Sequence, residues 1–440
     1  MITTASDVVV IGAGAVGASV AYELALAGAT VRVVDQATRP AAGCSRANAG
    51  LLVPSHSEPL TGAGNIRTGL RQMLRGDNAF HVRPSRVLLP WLMRFVAASN
   101  AGRVRAATRL LRDLGLESLQ RHAEYLQMGV ETSFERQGMV DVFASHADHE
   151  SALCSLERNP LGLEYDVLGM SEVHELVPGI IDMAGGVYFR NEAHCDSRIF
   201  VESTLAAAER LGVKTSLATR VRSIRHKRGR ISGVKTSAGF LPAGAVVVAA
   251  GHQSVELTKP LGIRLPITPA KGYVIDIETR SGDSAQPVGL KEDMVVITPY
   301  RDRLRIAGTL ELVGADTTID QGRVGAIRQA AVRAIPRLGD RRILSVWGGT
   351  KAMLGRRFAA DRHHRRCPGP HARDRPRPTR TAASPRHRSL RCQIARKYRV
   401  AQRGQFSAGV QPRPVQGLVT RAVGIPRVES RVLNSRSGCT

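Results

Sequence analysis

The 440-residue sequence contains few cysteines, and their arrangement builds no recognisable site. The six cysteines are scattered along the chain, and none forms a Cys-x-x-Cys pair or shows zinc-ligand spacing. Neither a disulfide framework nor a metal site is therefore expected. A chain of this kind suits a reducing cytoplasm.

Long hydrophobic runs are also missing. No stretch reaches the roughly 18 uninterrupted apolar residues that span a bilayer, so no transmembrane segment is expected. The N-terminus, Met1–Asp7, has no basic cluster ahead of an isolated apolar stretch, and no signal peptide is predicted. Trp91–Ala98, which includes Arg94, could contact a membrane interface but is predicted to be a core helix. We expect a cytoplasmic protein, with peripheral contact to the inner face of the membrane left open.

Acidic residues are scarce at the C-terminal end. The net charge is +26, but residues 355–440 hold 20 Arg and one Lys against three acids, which leaves only +8 for the first 354 residues. The arginine count alone favours a nucleic-acid binder. The tail has no ordered aromatic or helical recognition pattern, however, so no specific nucleic-acid partner is expected. The length and the 43% hydrophobic content fit a globular enzyme of two domains.

The N-terminal region predicts a βαβ unit. Val8–Ile11 and Thr30–Asp35 are β-branched runs typical of strands, and Ala18–Ala27 between them predicts a helix. A glycine turn, Gly12–Gly17, joins the first strand to the helix. This order is the one in which nucleotide-binding units are built.

The glycines of this turn are spaced as a dinucleotide site requires. Gly12 permits a tight turn, Gly14 lets the backbone approach a pyrophosphate, and Gly17 allows close contact between helix and strand. The helix N-terminus stabilises the phosphate charge, and Asp35 at the end of the second strand would accept hydrogen bonds from a ribose. The motif alone does not distinguish NAD from FAD.

The loop Gly43–Gly50 favours a flavin. It is rich in small, hydroxyl and amide side chains and follows directly after the second strand. A mobile NAD needs no such wrapping, whereas a resident flavin does. An ordinary surface loop is the alternative.

The rest of the chain predicts a second domain. Residues between Leu60 and Asn191 are predicted to be mainly helical, and residues 265–313 alternate as in an antiparallel sheet. Further predicted elements are the helices Asp196–Leu211 and Val324–Ile335 and the strands Met139–Phe143, Arg220–Ile224, Arg230–Thr236, Ala245–Ala250 and Ile343–Trp347.

These features resemble the D-amino acid oxidase superfamily of FAD-dependent oxidoreductases, and within it the small subunit of bacterial D-amino acid dehydrogenases. The similarity runs from Val8 to about Gly349. It rests on the order and spacing of Val10–Asp35, Gly43–Leu52 with Pro54, Trp91–Asn100, Val246–Ser254, Pro269–Tyr273 and Thr298–Gly314.

The resemblance implies an α/β fold with a discontinuous FAD-binding Rossmann-like domain, residues 1–60 and 192–264. A substrate domain of the α+β type, residues 61–191 and 265–349, would carry a mixed or antiparallel sheet. Residues 350–440 are expected to form an aberrant Arg/Pro-rich tail, disordered or non-native.

The resemblance also implies the cofactor FAD and the residues that hold it. The ADP half would lie on Ile11, Gly12, Ala13, Gly14, Ala15, Val16, Gly17, Asp35 and Gln36, with the backbone of Val221 at the adenine. The flavin would lie along Ser45, Asn48, Ala49 and Gly50, with Gly251 nearby.

The implied chemistry is hydride transfer from the Cα of a D-amino acid to flavin N5, giving an imino acid that water hydrolyses to a keto acid and ammonia. The expected electron acceptor is a membrane quinone. Tyr273, Tyr300 and Arg305 are candidates for lining the substrate pocket, and purely structural roles are the alternative for each. An oxidase of glycine, sarcosine or another secondary amine is the competing enzyme class.

The similarity breaks after Gly349. The family continues with a Trp-x-Gly-Leu-Arg-Pro type sequence whose Arg holds the substrate carboxylate, whereas Trp347–Lys351 reads Trp-Gly-Gly-Thr-Lys. Read one base further along, the codons for Thr350–Leu354 permit Leu-Arg-Pro-Cys-Ser, so we hypothesise a frameshifted C-terminus. Lysine does not replace a bidentate arginine without loss. Weak activity and reduced FAD retention, or an inactive pseudogene product, are expected.

Overall fold

A computed structural model describes residues 6–59, 80–82, 88, 91, 93, 95, 99–158, 161–227 and 229–354. The helices are α1 (Ala15–Leu26), α2 (Ala101–Gln127), α3 (His146–Arg158), α4 (Met170–Leu176), α5 (Ser197–Arg210), α6 (Ser254–Thr258) and α7 (Gln321–Ala334). The strands are β1 (Ser6–Ile11), β2 (Val31–Val34), β3 (Leu51–Leu52), β4 (Phe80–Val82), β5 (Met139–Phe143), β6 (Tyr165–Leu168), β7 (Gly185–Phe189), β8 (Ala193–His194), β9 (Lys214–Ser216), β10 (Val221–Lys227), β11 (Arg230–Thr236), β12 (Gly239–Val248), β13 (Ile267–Ile277), β14 (Val288–Leu290), β15 (Val295–Pro299), β16 (Leu304–Leu312) and β17 (Ile343–Leu354).

The first sheet is built around β1. Its order is β10-β11-β12-β1-β2-β9, and β1 runs parallel to both β12 and β2. Val9, Val10 and Val33 are fully buried because both faces of these central strands are covered. Helices α1 and α5 cover one face, where Ala18 and Val201 belong to one apolar cluster. This is the Rossmann-like arrangement that the sequence predicts.

The second sheet has nine strands and is mixed. Its order is β17-β13-β16-β15-β14-β5-β7-β6, with β4 beside β16. Most neighbours are antiparallel, but β14 with β5 and β16 with β4 are parallel pairs. Helix α7 packs on this sheet, where Val324 and Ile327 share a buried cluster with Tyr273 and Ile275.

Several predicted elements differ from those observed. Helix α1 begins three residues before the predicted Ala18, because Gly14 caps it in an extended conformation. Strand β12 begins well before the predicted Ala245, because Gly239–Pro242 pairs with β11 in a hairpin. Within Leu60–Asn191, the predicted strand Met139–Phe143 is β5, and β6 and β7 are further strands beside α2, α3 and α4.

Other predictions fall partly or wholly outside the described residues. Within Trp91–Ala98, Trp91 is buried and its ring stacks on Phe95 with centroids 5.1 Å apart. Of the predicted tail, residues 350–440, the first five residues continue β17, and the rest lies outside the described part of the chain. Among the described helices, none is both long and apolar enough to cross a bilayer. The proposed domain boundaries remain predictions.

Candidate dinucleotide and flavin site

The glycine turn after β1 leaves no room for side chains at two of its positions. Gly12 has φ +112°, and a Cβ there would lie 2.5 Å from the carbonyl oxygen of Ala249 at the end of β12. A Cβ at Gly17 would overlap the carbonyl of Gly12. The turn, the helix and β12 therefore approach one another at a distance that only glycine permits.

The N-terminus of α1 has the properties of an anion site. Gly14 caps the helix with no side-chain bond, and the first turn contains no acidic residue, so the positive end of the helix dipole is not neutralised. The Ala15 N–H donates to Ser45 Oγ over 3.0 Å. Val16 is largely exposed. A diphosphate fits this end of the helix, between the glycine turn and the loop that contains Ser45.

Asp35 joins three chain segments just beyond β2. Its carboxylate accepts the Ala13 N–H over 2.7 Å and the Ala37 N–H over 2.8 Å. Its carbonyl accepts the Thr219 N–H over 2.8 Å, which places the start of β10, Val221, close to Asp35. Each carboxylate oxygen keeps a further acceptor position, as contact with ribose hydroxyls requires.

Gln36 and Gly251 lie on the opposite flank of the turn. The Gln36 side-chain amide donates to Gln253 Oε1 over 3.1 Å. Gly251 has φ +55°, and no atom lies within 4 Å of a Cβ built there, so this glycine borders open space. Thr350 Oγ1 lies 3.4 Å from His252 Nδ1, which brings the end of β17 to the same place.

The predicted flavin loop, Gly43–Gly50, lies between the two sheets. Cys44–Arg46 forms one turn of 3-10 helix, and burial raises the pKa of the Cys44 thiol, an effect that Lys351 partly offsets. The Asn48 side-chain oxygen accepts the Gly50 N–H over 2.8 Å. The loop is thus shaped by its own side chains and is close to β17.

The three candidate pocket residues lie in two different places. Tyr300 and Arg305 touch the flavin loop: Tyr300 Oη is 3.5 Å from the Ala49 carbonyl oxygen, and Arg305 Nη1 donates to the Asn48 carbonyl over 3.2 Å. Tyr273 is buried in the second sheet, and its hydroxyl donates to Glu311 Oε2 over 3.3 Å. Their role as pocket residues remains a prediction.

The guanidinium of Arg305 is already occupied. It makes two hydrogen bonds with the carboxylate of Asp276, over 2.7 and 3.0 Å, and is almost fully buried. A neighbouring pair, Arg303 and Asp196, is buried in the same region. Burial and the pairing with Asp276 act in opposite directions on Arg305, and its pKa is raised. These charges compensate each other within the protein.

Sequence reasoning missed Ser197 and Thr298. Ser197 Oγ donates to the Ser45 carbonyl over 3.0 Å, and Thr298 Oγ1 donates to the Ala49 carbonyl over 2.8 Å. Both contacts join residues more than 150 positions apart, and no local pattern marks either side chain. Thr298 did lie in a segment that carried the family resemblance.

The residues present fit FAD. The glycine turn and the open helix end suit a diphosphate, Asp35 suits a ribose, and the loop Gly43–Gly50 continues from them towards Gly251 and β17. Ser45 ties that loop to the helix end. This arrangement suits an extended dinucleotide, and the assignment of individual residues to it remains a prediction.

Comparison with known proteins agrees with this geometry. The sequence model of the DAO family, described as FAD dependent oxidoreductase, matches residues 7–374, which extends beyond Gly349. D-amino acid dehydrogenase 2 of Mesorhizobium japonicum is 30% identical over 358 residues, covering 79% of this chain and 86% of that protein. D-amino acid dehydrogenase of Bradyrhizobium diazoefficiens is 29% identical over 364 residues, covering 79% and 85%.

Solved structures agree on the fold. Glycine oxidase from Bacillus cereus superposes with a TM-score of 0.61 at 22% identity, covering 80% of this chain and 84% of that one. L-proline dehydrogenase from P. horikoshii superposes with a TM-score of 0.58 at 19% identity, covering 79% and 82%. With the match over residues 7–374, these findings establish that the chain belongs to the DAO family of FAD-dependent oxidoreductases.

Proposed function

We propose that the site is built for the oxidation of D-amino acids, acting on the CH–NH2 group. The observation that carries this proposal is the likeness to proteins named D-amino acid dehydrogenase, which extends over more than four fifths of their length. Bound FAD supplies the acceptor for the hydride that leaves the substrate Cα. The protein has to hold the amino acid with that carbon against the flavin and exclude competing water.

Tyr273, Tyr300 and Arg305 are proposed to border the substrate pocket. Tyr300 and Arg305 support this by their contacts with the flavin loop. Because Arg305 already pairs with Asp276, a substrate carboxylate would need another cation as its main partner. The pocket residues therefore set shape and polarity, and the charge must come from elsewhere.

Lys351 is the proposed carboxylate partner in this chain. It takes the place of the family's arginine in the order Trp-x-Gly-x-Arg, and in β17 it pairs with Ala270 of β13. The residue keeps contact with solvent, although burial lowers the pKa of its ammonium group. The neighbouring Thr350 reaches His252 beside Gly251. A lysine offers one compact charge rather than a planar fork, so substrate binding is expected to be weak.

The proposed electron acceptor is a membrane quinone, reached by peripheral contact at the inner face of the membrane. Helix α2 supports such contact because Leu110 and Leu114, one turn apart, are exposed. Arg105 and Arg109 lie on the same helix and would favour an anionic lipid surface. Sedimentation of the chain with anionic vesicles tests this contact, and its absence at low salt would contradict it.

An oxidase of glycine, sarcosine or another secondary amine is the second candidate. It is favoured by the superposition on glycine oxidase, although at 22% identity that likeness concerns the fold. The rate at which air reoxidises the reduced flavin separates the two. Rapid reoxidation supports the oxidase, and slow reoxidation supports a dehydrogenase.

The decisive experiment is a visible absorbance spectrum of the purified chain, followed by anaerobic addition of D-alanine. Bleaching of a bound flavin supports the proposed reaction. Flavin that D-alanine, glycine and sarcosine all fail to bleach would leave a cofactor-binding protein without a working substrate site. A chain that binds no flavin would point to an inactive descendant of the family.

A further inference from the structure

Three side chains of the second sheet contact two consecutive carbonyl groups of the flavin loop. Thr298 Oγ1 donates to the Ala49 carbonyl over 2.8 Å. Tyr300 Oη lies 3.5 Å from the same oxygen and 3.4 Å from the Cys195 carbonyl oxygen, which in turn borders Gly50. Arg305 Nη1 donates to the Asn48 carbonyl over 3.2 Å. All three extend from β15, β16 and the turn between them. We call them the loop brace.

Each member of the loop brace is itself held in place. Thr298 is fully buried in β15. The Arg305 guanidinium is fixed by Asp276, which also accepts a bond from Ser345 Oγ over 3.1 Å. The Tyr300 ring lies against two guanidinium groups, with the carbon of Arg303 4.7 Å and that of Arg305 5.2 Å from its centroid. Because its members are held in place, the loop brace can fix the directions of the Asn48 and Ala49 carbonyl groups.

The backbone of the flavin loop is confined at Gly50. Gly50 has φ +68°, and its carbonyl accepts the Cys195 N–H over 2.8 Å. A Cβ at Gly50 would overlap both Tyr300 Oη and the Cys195 carbonyl. The segment Asn48–Gly50 is therefore confined between the second sheet on one side and β8 with its continuation on the other.

The orientation of one peptide follows from these contacts. In a trans peptide the C=O and the following N–H point in opposite directions. Since Arg305 holds the Asn48 carbonyl towards the second sheet, the Ala49 N–H of the same peptide points away from that sheet. The loop brace thereby decides which side of the loop presents a donor.

We propose that Thr298, Tyr300 and Arg305 are positioning residues for the cofactor: they set the Asn48 and Ala49 peptides so that the flavin loop is preorganised before FAD binds. The inference rests on the proposed function in that the loop is taken to lie along the flavin. It gives Tyr300 and Arg305 a role that needs no contact with substrate, and it adds Thr298 to the site.

The test compares isosteric variants with matched controls. Thr298→Val and Tyr300→Phe each remove one hydroxyl and keep the shape of the side chain. Thr204→Val removes a buried hydroxyl that has no hydrogen-bond partner among the described residues, and Tyr188→Phe removes one that bonds to Gln137 outside the loop. Thr298→Ser restores the donor.

The readouts are the FAD dissociation constant and the visible circular dichroism of bound flavin. Thr298→Val and Tyr300→Phe should each weaken FAD binding by roughly two- to tenfold, the effect of one lost hydrogen bond. They should also alter the dichroism. Thr298→Ser and both controls should match the parent chain. Parent-like affinity and dichroism in both loop variants would overturn the proposal.

Amide hydrogen exchange of the FAD-free chain makes the test independent of the proposed function. Peptides covering Gly43–Gly50 should exchange faster in Thr298→Val and Tyr300→Phe than in the parent. Their exchange rates in the control variants should equal those of the parent. If the parent binds no FAD but the loop still loosens in these variants, the proposed function fails and the loop brace stands. Unchanged exchange in both variants sinks the brace itself.

Discussion

The hydroxyl of Tyr300 occupies the space into which a side chain at Gly50 would extend. Because Gly50 also has φ +68°, its replacement meets both a steric and a backbone penalty. The contact joins a loop near the N-terminus to a turn 250 residues later. It makes Gly50 the position at which the flavin loop is most sensitive to substitution.

Gly50→Ala is therefore expected to weaken FAD binding. The left-handed backbone alone costs about 1 to 2 kcal/mol for a non-glycine residue. If this cost opposes FAD binding in full, the Kd for FAD rises by about tenfold. Gly325→Ala on α7 is the control, because Gly325 lies outside the flavin loop and no atom lies within 4 Å of a Cβ built there. Fluorescence titration of FAD measures both. Equal affinities for the two variants would contradict the prediction.

His122 predicts a loss of stability at acid pH. Its ring is buried and lies between Phe134 and Phe200, with centroids 5.4 and 4.6 Å away, and burial lowers its pKa to about 4. The folded state favours the neutral ring, so the unfolded chain binds more protons once the pH falls below the unfolded value of 6.5. The contribution of His122 to the free energy of unfolding should fall between pH 6.5 and 4, by on the order of 3 kcal/mol in total.

Urea titrations across that range provide the measurement. His122→Phe should remove this part of the acid sensitivity while keeping the aromatic stack. His146→Gln, an exposed control, should leave it in place. An identical pH profile for the parent and His122→Phe would show that another group dominates.

Glu192 predicts the opposite pH dependence. Its carboxyl is buried, burial raises its pKa to about 7, and the Ser55 N–H, which donates over 2.8 Å, opposes that rise. The folded chain retains a proton that the unfolded chain loses above 4.5. The contribution of Glu192 to the free energy of unfolding should therefore fall as pH rises from 4.5 to 7, by on the order of 3 kcal/mol, and it opposes the contribution of His122 where the two ranges overlap.

Glu192→Gln tests this by replacing the acid with an amide that does not titrate. Its stability should lose that slope and exceed the parent's at pH 8. Glu131→Gln, an exposed acid on the loop before β5, serves as the control. A steeper decline for Glu192→Gln than for the parent would refute the assignment.

Lys351→Arg is expected to improve substrate binding. The guanidinium would restore a planar fork for the carboxylate at the position where the family carries arginine. We expect the KM for D-alanine to fall by about tenfold, as for one charge-assisted hydrogen bond, with a smaller change in kcat. Lys235→Arg, at an exposed position of β11, is the control. A KM unchanged by Lys351→Arg would remove Lys351 from the substrate site.

The nucleotide half of the fold could be predicted because its signals are local. Gly12, Gly14 and Gly17 stand within six residues, and Asp35 follows after one helix and one strand. Each has a conformational or charge requirement that few other residues meet. The structure places these residues together at one edge of the first sheet, as their spacing predicts.

The contacts that hold the flavin loop could not be predicted in the same way. Thr298 and Ala49 are 249 residues apart, and a threonine in a strand has an ordinary structural explanation. Arg305 is predicted to border the pocket because a cation suits a carboxylate. The sequence alone does not show that Asp276, on the neighbouring strand, already satisfies it. Ion pairs between residues distant in the sequence determine which charged side chains are available to a substrate. The periodicity of the sequence does not reveal these pairs.

Strand β17 is the outermost strand of the second sheet and stays paired with β13 from Ile343 to Leu354, past Gly349. Its pairing uses main-chain N–H and C=O groups, which every residue except proline provides. The hydrogen bonding of this edge strand therefore depends little on which side chains the strand carries. Substitutions along this strand would therefore change yield and secondary-structure content little, because both depend on main-chain pairing. Ligand-binding measurements would report the changed side chains.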